Sequence, residues 1–175
     1  MVTNNWKTLD ACRVGKNESR ETLKNINITD QHIESTNGHI AIRFTKESIS
    51  LPTIANGAYK VISATKCNKL STEIILEHQP EAQFPDTKRV FPENATAGSK
   101  ITIEIMPEKD APYSITSAII QMYKLTGNAY ANEYVKKLSI LGAYWGVYSQ
   151  GDNRAIYLEN SAGTISALIM PFKIN

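Results

Sequence analysis

The stretch Ile33–Phe44, Ile-Glu-Ser-Thr-Asn-Gly-His-Ile-Ala-Ile-Arg-Phe, contains the signal around which the rest of the chain is organised. Apolar residues alternate with other residues on both sides of Asn37-Gly38, most clearly from Ile40 onwards. Asn-Gly between alternating runs is the strongest short signal for a β-hairpin, because a type I′ turn requires positive φ at both central residues. The stretch therefore predicts two antiparallel strands joined by a tight turn at Asn37-Gly38.

The composition is that of an ordinary soluble globular protein. Hydrophobic residues make up 42% and charged residues 21% of the 175 residues, which is enough chain for one large domain or two small ones. The longest apolar runs are too short to cross a membrane, so we expect no membrane partner. The first residues lack a basic segment followed by an apolar core, so we expect no signal peptide, a cytoplasmic location, and buried thiols rather than a disulfide at Cys12 and Cys67.

The first part of the chain predicts one helix followed by three strands. Apolar residues recur at helical spacing over residues 5–14, and Gly15 is suited to end the helix. A strand is predicted from Leu23 to Ile28, a turn at Asp30-Gln31, and then the hairpin. Residues 46–57 read as a loop because they contain proline and an Asn-Gly pair.

The middle of the chain predicts short strands and a long connector. Strands are predicted at Tyr59–Ala64 and Thr72–Glu77, and residues 79–99 combine three prolines with Phe84, Val90 and Phe91. This composition is typical of an extended connector held in place by apolar side chains. A cleanly alternating strand, Lys100–Met106, follows it.

The last part of the chain again predicts helical sequence followed by three strands. One helix is predicted over Ser114–Leu125, with Ser114 as its N-cap and Gly127 after its end, and a second is predicted from Asn128, as N-cap, to Gly142. The closing strands are predicted at Ala143–Ser149, Arg154–Glu159 and Thr164–Phe172.

Both ends of the chain thus share the order α-β-β-β. Two such units can join antiparallel sheets edge to edge with both helices on one face, which predicts the α+β class. We divide the chain into a first unit at residues 1–78, a connector at 79–99 and a second unit at 100–175, within one compact domain.

Motifs that would carry chemistry are absent from the sequence. His32, His39 and His78 show no metal-ligand spacing, and there is no nucleophile elbow, phosphate loop or Gly-x-Gly-x-x-Gly. We therefore predict no catalytic residue, no cofactor and no metal, and we keep an enzyme with an unrecognised site as an alternative.

The net charge of +2 is too small to indicate nucleic-acid binding by itself. Cations are nevertheless concentrated near the N-terminus, at Lys7, Arg13, Lys16, Arg20 and Lys24. This cluster is consistent with a solvated helix face or with a surface that contacts phosphates.

Four stretches give the chain a resemblance to the bacterial sliding clamp, the β subunit of DNA polymerase III. Ser19–Ile26 resembles the Arg-then-Leu pattern that leads into the clamp hairpin, and Ser35–His39 is similar to the Ala-Thr-Asp-Gly-His-Arg turn. Phe84–Pro92 resembles the Phe-Pro-Asp-Tyr-Arg-Arg-Val-Leu-Pro connector, and Leu168–Ile174 resembles the closing Val-Val-Met-Pro-Met-Arg-Leu. The order of these stretches suggests the start of the family's middle domain joined to the end of its last domain, and residues 46–80 and 99–127 are not covered.

The resemblance implies a DNA-clamp-like fold and a pocket for linear peptides of DNA polymerases or repair proteins. The pocket would be lined by the hairpin turn and the C-terminal tail, which gives the residues Thr36, Gly38, His39, Ile40, Met170, Pro171, Phe172 and Lys173. The opposing interpretation is that the methionine and phenylalanine of the tail pack in the core, as such residues usually do.

The resemblance also implies helices whose cations face double-stranded DNA without reading its sequence. The candidate residues are Lys7, Arg13, Lys16, Lys136 and Lys137. Two departures weaken this match: Ile40 stands where the family has Arg, and Asn37 where it has Asp. We predict a replication or repair accessory that encircles DNA as a homo-oligomer. The alternative is a monomeric or dimeric protein that binds clamp-type peptides or competes with a clamp.

Overall fold

The computed structural model gives an α+β protein with antiparallel sheets, as the sequence pattern predicts. The chain separates into two compact units, Met1–Asp86 and Thr87–Asn175. The division into residues 1–78, 79–99 and 100–175 remains a prediction. The structure describes residues 9–10, 12–13, 19–48, 54–66, 72–86, 91, 99–151 and 154–172.

The first unit contains an antiparallel sheet with the strand order β5-β4-β1-β2-β3. Its strands are β1 (Asn25–Ile28), β2 (His32–Thr36), β3 (Ile40–Thr45), β4 (Gly57–Lys66) and β5 (Thr72–His78). Short 3-10 turns precede β1 at Glu21–Lys24 and follow β3 at Lys46–Ser48. All five predicted strand positions are confirmed. The predicted helix at residues 5–14 lies mostly outside the described residues, although Leu9, Asp10 and Cys12 are helical.

The core of the first unit lies on one face of this sheet. Ile28 of β1, Ile33 of β2 and Phe44 of β3 are aligned by strand register, and each is at most 1% exposed. Ile26 and Ile42 are fully buried on the same face. Each such side chain contributes about 1.5–3 kcal/mol when it is removed from water, so the alternation that predicts the hairpin also supplies the core.

The second unit contains an antiparallel sheet with the order β6-β7-β8-β9 and two helices. Its elements are β6 (Lys100–Glu104), α1 (Ser114–Thr126), α2 (Asn132–Leu138), β7 (Tyr144–Tyr148), β8 (Ile156–Asn160) and β9 (Ile165–Ile169). The predicted order of helices followed by three strands is confirmed here. In addition, β6 flanks β7 in the same way that β4 flanks β1 in the first unit.

Ser114 does not cap α1, contrary to the prediction. The N-cap is Tyr113, which makes no side-chain capping bond, and Ser114 is already helical. The Ser114 hydroxyl instead accepts a hydrogen bond from the Met106 N–H (2.8 Å) and donates one to the Glu104 carbonyl (3.1 Å). The hydroxyl therefore fastens the start of α1 to the end of β6, because it satisfies two backbone groups there.

The boundary between the helices also differs from the prediction. Gly127 ends α1 as predicted, with a φ of 71° and an N–H bonded to the Tyr123 carbonyl. Asn128, however, does not cap α2, which begins after Ala131. Its backbone N–H donates to the Thr126 hydroxyl and its side-chain amide donates to the Thr126 carbonyl, both at 3.2 Å. Asn128 thus closes the turn after α1 rather than opening the next helix.

The described part of the predicted connector is held by an apolar contact. Phe91 is 6% exposed and meets the Tyr157 ring edge-on, with centroids 6.5 Å apart. Because aromatic pairs favour this arrangement, Phe91 is anchored within the second unit, and the connector as a whole stays a prediction.

Candidate peptide-binding and DNA-binding residues

The β2–β3 turn lies one residue later than predicted. Strand register pairs Thr36 with Ala41, which places Gly38 and His39 at the centre of the turn. Gly38 has a φ of 86°, and glycine at the first central position is typical of a type II′ turn. The Asn37 side-chain oxygen accepts hydrogen bonds from the His39 and Ile40 N–H groups, both at 2.9 Å. Asn37 therefore acts before the turn through its side chain, and does not occupy the turn itself.

Thr36 and Ile40 hold the base of this turn from inside. The Thr36 hydroxyl donates to the Ile40 carbonyl (2.9 Å) and accepts from the Gly38 N–H (3.0 Å). Thr36 is 7% exposed and the Ile40 side chain, at 1%, lies in the core of the first unit. Of the predicted turn residues, Gly38 and His39 are therefore the ones that reach the surface.

Arg20 lies beside the turn, although the predicted site residues do not include it. Its Nη1 is 3.4 Å from the position that a Cβ on Gly38 would occupy, and Leu23 Cδ1 is 3.9 Å away. Arg20 is exposed, so a cation stands next to Gly38. The sequence signal that could have identified Arg20 is the Arg-then-Leu pattern in Ser19–Ile26, which supports the resemblance in fold but was not assigned to the site.

The C-terminal tail presents apolar side chains on a fixed backbone. Met170 is 41% exposed and Phe172 is 52% exposed, while Pro171 is half-buried. The Phe172 N–H donates to the Ala129 carbonyl at 3.1 Å, which forms an isolated bridge to the loop between α1 and α2. These exposures contradict the interpretation that both side chains pack in the core. Lys173 lies outside the described residues.

Arg13, a predicted DNA contact, is engaged within the first unit. Its Nε and Nη2 atoms bond to the Asp10 carboxylate, and Nη1 donates to the Lys24 carbonyl at 2.6 Å. Only 17% of its side chain is exposed. These contacts tie the helical residues to the turn before β1, which is a structural role. Lys7 and Lys16 lie outside the part of the chain that is described.

The other predicted DNA contacts lie on α2. Lys136 Nζ is 3.0 Å from Glu108 Oε1, and about half of each of these side chains is exposed. Lys137 Nζ lies 5.5 Å from the centre of the Tyr134 ring. Exposed ion pairs of this kind contribute only about 0–1 kcal/mol to the stability of a protein. Giving up the contact of Lys136 with Glu108 for a contact with another anion would therefore cost little free energy.

Two open clefts of about 480 Å³ each lie in the described residues. One, in the first unit, includes Asp30, His32 and Thr45. Burial lowers the pKa of His32 below its ordinary value, Arg43 lowers that pKa further, and Glu34 opposes the shift. The other cleft lies over Gly146 in the second unit.

Within the described ranges, no group of three or more His, Cys, Asp or Glu side chains is arranged to hold a metal ion. Among the helices in these ranges, none is long and apolar enough to cross a membrane.

The chain is similar in structure to bacterial DNA polymerase sliding clamps. The clamp from Bacillus subtilis aligns with a TM-score of 0.60 and 12% identity over 98% of this chain. The Helicobacter pylori β clamp, in complex with 3,4-difluorobenzamide, aligns with a TM-score of 0.61 and 10% identity over 97% of this chain. The Caulobacter crescentus clamp aligns with a TM-score of 0.60 and 11% identity over 98% of this chain. The alignments span 62%, 63% and 64% of those three chains, respectively, which is less than two thirds of each.

No protein-family model matches the chain, and no curated protein matches it by sequence. At these identities the structural likeness establishes the fold alone. It agrees with the four stretches of sequence, which imply the same fold independently. The chain therefore has the α+β fold of the bacterial DNA polymerase III β sliding clamps.

Proposed function

We propose that this protein is a clamp-like accessory of DNA replication or repair that binds linear peptides of partner proteins and, as an oligomer, double-stranded DNA. The observation that carries the proposal is the exposed apolar tail, Met170 and Phe172, on a chain with the sliding-clamp fold. Exposed methionine and aromatic side chains on a fixed backbone form an adaptable surface for apolar anchors of a peptide. In this role the protein acts by binding and not by catalysis.

The β2–β3 turn of the first unit carries the polar residues that the resemblance assigns to peptide binding. The Gly38 and His39 N–H groups are already bonded to Thr36 and Asn37, so hydrogen bonds donated to a peptide here come from side chains. His39 is exposed at the turn, and Arg20 places a cation beside Gly38. We expect this turn to favour an acidic or polar residue in a peptide that it binds.

Removal of the tail tests the peptide site. We expect truncation after Ile169, and the pair Met170→Ala and Phe172→Ala, to abolish binding of a clamp-binding peptide from a bacterial DNA polymerase, measured by fluorescence anisotropy. Ile140→Ala is the matched control, because Ile140 is 56% exposed in the same unit but lies outside the tail.

Circular dichroism and thermal melts should show that the double variant stays folded, since both side chains are about half exposed and the backbone bond of Phe172 to Ala129 is kept. Unchanged peptide binding by the folded double variant would contradict the proposed site.

A second candidate function is a clamp-like protein that binds peptides, or competes with a clamp for partners, without encircling DNA. It is favoured by the engagement of Arg13 with Asp10 and by the net charge of only +2. The two candidates differ in assembly, because encirclement requires a closed oligomer and competition does not.

A further inference from the structure

Strand β5 forms an edge of the sheet in the first unit. Its seven residues pair with β4 on one side, and no strand in the described part of the chain pairs with the other side. Natural edge strands are usually protected by charged side chains, Lys above all, by Pro, by a bulge or by short length. β5, Thr-Glu-Ile-Ile-Leu-Glu-His, contains no Lys or Pro, and the register shift between Val61 and Ser63 lies in β4 instead. The charges on β5 are glutamates, so its backbone is suited to accept a strand that carries cations.

One face of β5 presents an acidic and apolar pattern. Glu73, Ile75 and Glu77 alternate along this face, and all three are exposed, with Ile75 at 53%. Ile62, at the shift in β4, is 51% exposed. Lys60 lies opposite Glu77 on β4, and Thr65 lies opposite Glu73. The carboxylates on this face therefore exceed the cations that β4 aligns with them.

The same pattern disfavours pairing of β5 with a second copy of itself. The antiparallel register that pairs all seven residues places Ile75 opposite its copy and Glu73 opposite Glu77. Like charges directly opposite each other destabilise a strand pair. The exposed face of edge strand β6 carries Lys100 and Glu104 four residues apart, so β6 of a second copy matches one carboxylate of β5 and repels the other.

We propose that β5 is a docking edge for an extended segment of a partner protein in which two basic residues flank an aliphatic residue at alternate positions. The segment adds a strand to the sheet through backbone hydrogen bonds, its basic side chains face Glu73 and Glu77, and its aliphatic side chain packs on Ile75. This inference is independent of the tail site.

Short peptides test the charge pattern directly. The probe is acetyl-Thr-Lys-Thr-Val-Thr-Lys-Thr-amide, and its matched control carries Glu at both Lys positions. We expect the Lys peptide to bind the full chain, to shift the NMR signals of the β5 amides, and to bind more weakly at 0.5 M NaCl, roughly the regime in which exposed charges are screened. Equal binding of both peptides would overturn the proposal.

Backbone pairing is tested by two further peptides, each N-methylated at one of the two alternating sets of residues. Only one set of N–H groups points towards an edge strand, so one N-methylated peptide should lose binding and the other should retain it. Retention by both would show contact through side chains alone and would overturn strand addition.

Variants of the protein complete the test. We expect Glu73→Gln and Glu77→Gln each to weaken binding of the Lys peptide by about two- to five-fold, in line with cross-strand charge pairs. Glu133→Gln, an exposed glutamate on α2, should leave the affinity unchanged. If Glu73→Gln and Glu77→Gln together leave it unchanged, the acidic face does not select the partner and the proposal fails.

Discussion

Among the single residues, Glu34 is a charged side chain that is buried on the sheet of the first unit. Glu34 has 3% of its side chain exposed, and Arg43 Nη2 is 2.7 Å from its Oε1. The Asn27 amide donates to the other carboxylate oxygen at 3.1 Å. Strand register aligns Asn27, Glu34 and Arg43 across β1, β2 and β3. The stability of the protein depends on keeping all members of this ladder together, because a buried carboxylate is costly without its cation.

Replacement of Arg43 alone tests this ladder. We expect Arg43→Met to lower the free energy of unfolding by about 3 kcal/mol, because it leaves the buried Glu34 carboxylate without the cation that faces it. The double variant Glu34→Gln with Arg43→Met should lose clearly less, since no buried charge remains. Urea denaturation of the three proteins measures these differences. A double variant that loses as much stability as Arg43→Met alone would contradict the role of the ladder.

His32 makes the stability of the protein depend on pH. Burial, followed by Arg43, lowers its pKa in the folded protein below the ordinary value of 6.5. The unfolded chain therefore binds this proton more readily, so the contribution of His32 is complete above about pH 6.5 and is lost as the pH falls below it. We expect the melting temperature to drop less between pH 7.5 and 5.5 in His32→Asn than in the unchanged protein. Equal drops would show that His32 does not contribute.

The β2–β3 hairpin shows, at the scale of elements, how far local sequence determines local structure. The alternation around Asn37-Gly38 predicts the strands correctly, since it reflects the side-chain period of two. The position of the turn could not be predicted, because Asn-Gly is compatible with both registers. The Asn37 side chain selects between them by accepting two backbone N–H groups.

The two ends of helix α1 were likewise predictable only in part. Gly127 was predictable because few residues other than glycine adopt a φ of 71° easily. Ser114 was not, since serine is equally suited to cap a helix or to bond to a neighbouring strand, and the end of β6 decides which it does. Long-range contacts of this kind are not encoded in the local pattern.

The glycine that ends helix α1 leads to a prediction about the stability of that helix. A Cβ on Gly127 would meet no atom within 4 Å, so replacement has a backbone cost only. We expect Gly127→Ala to lower the free energy of unfolding by about 1 kcal/mol, and Gly127→Asn by less, because Asn tolerates the left-handed region better. Thermal or urea unfolding checks this order. A Gly127→Ala protein as stable as the original would contradict the role of Gly127 as the helix end.

At the scale of the whole molecule, the predicted fold class and the resemblance to sliding clamps are confirmed, whereas the predicted sites are only partly located. The exposure of Phe172 was not predictable, because the same Met-Pro-Phe sequence suits a buried edge. Nor was the position of Arg20, since only the folded turn brings it next to Gly38. The engagement of Arg13 by Asp10 likewise depends on a contact that charge counting does not reveal.

DNA binding by α2 leads to a prediction for the assembled protein. If Lys136 and Lys137 contact phosphates, the double replacement with Ala should weaken binding to duplex DNA of any sequence. The slope of log K against log salt should also flatten by about one to two units, because each lost phosphate contact releases one counterion fewer. Arg13→Ala serves as the contrast, since we expect it to lower stability without changing the slope. An unchanged slope in the lysine variant would exclude α2 from the DNA surface.

The mass of the protein in solution tests the proposed function most directly, because the proposed encirclement of DNA requires a closed assembly of several copies. Light scattering at low and moderate salt measures that mass without labels or partners. The account predicts one discrete oligomer, at a fixed multiple of the subunit mass, that persists at both salt concentrations. A monomer at all protein concentrations would contradict encirclement and would leave the peptide-binding competitor as the function that fits the fold.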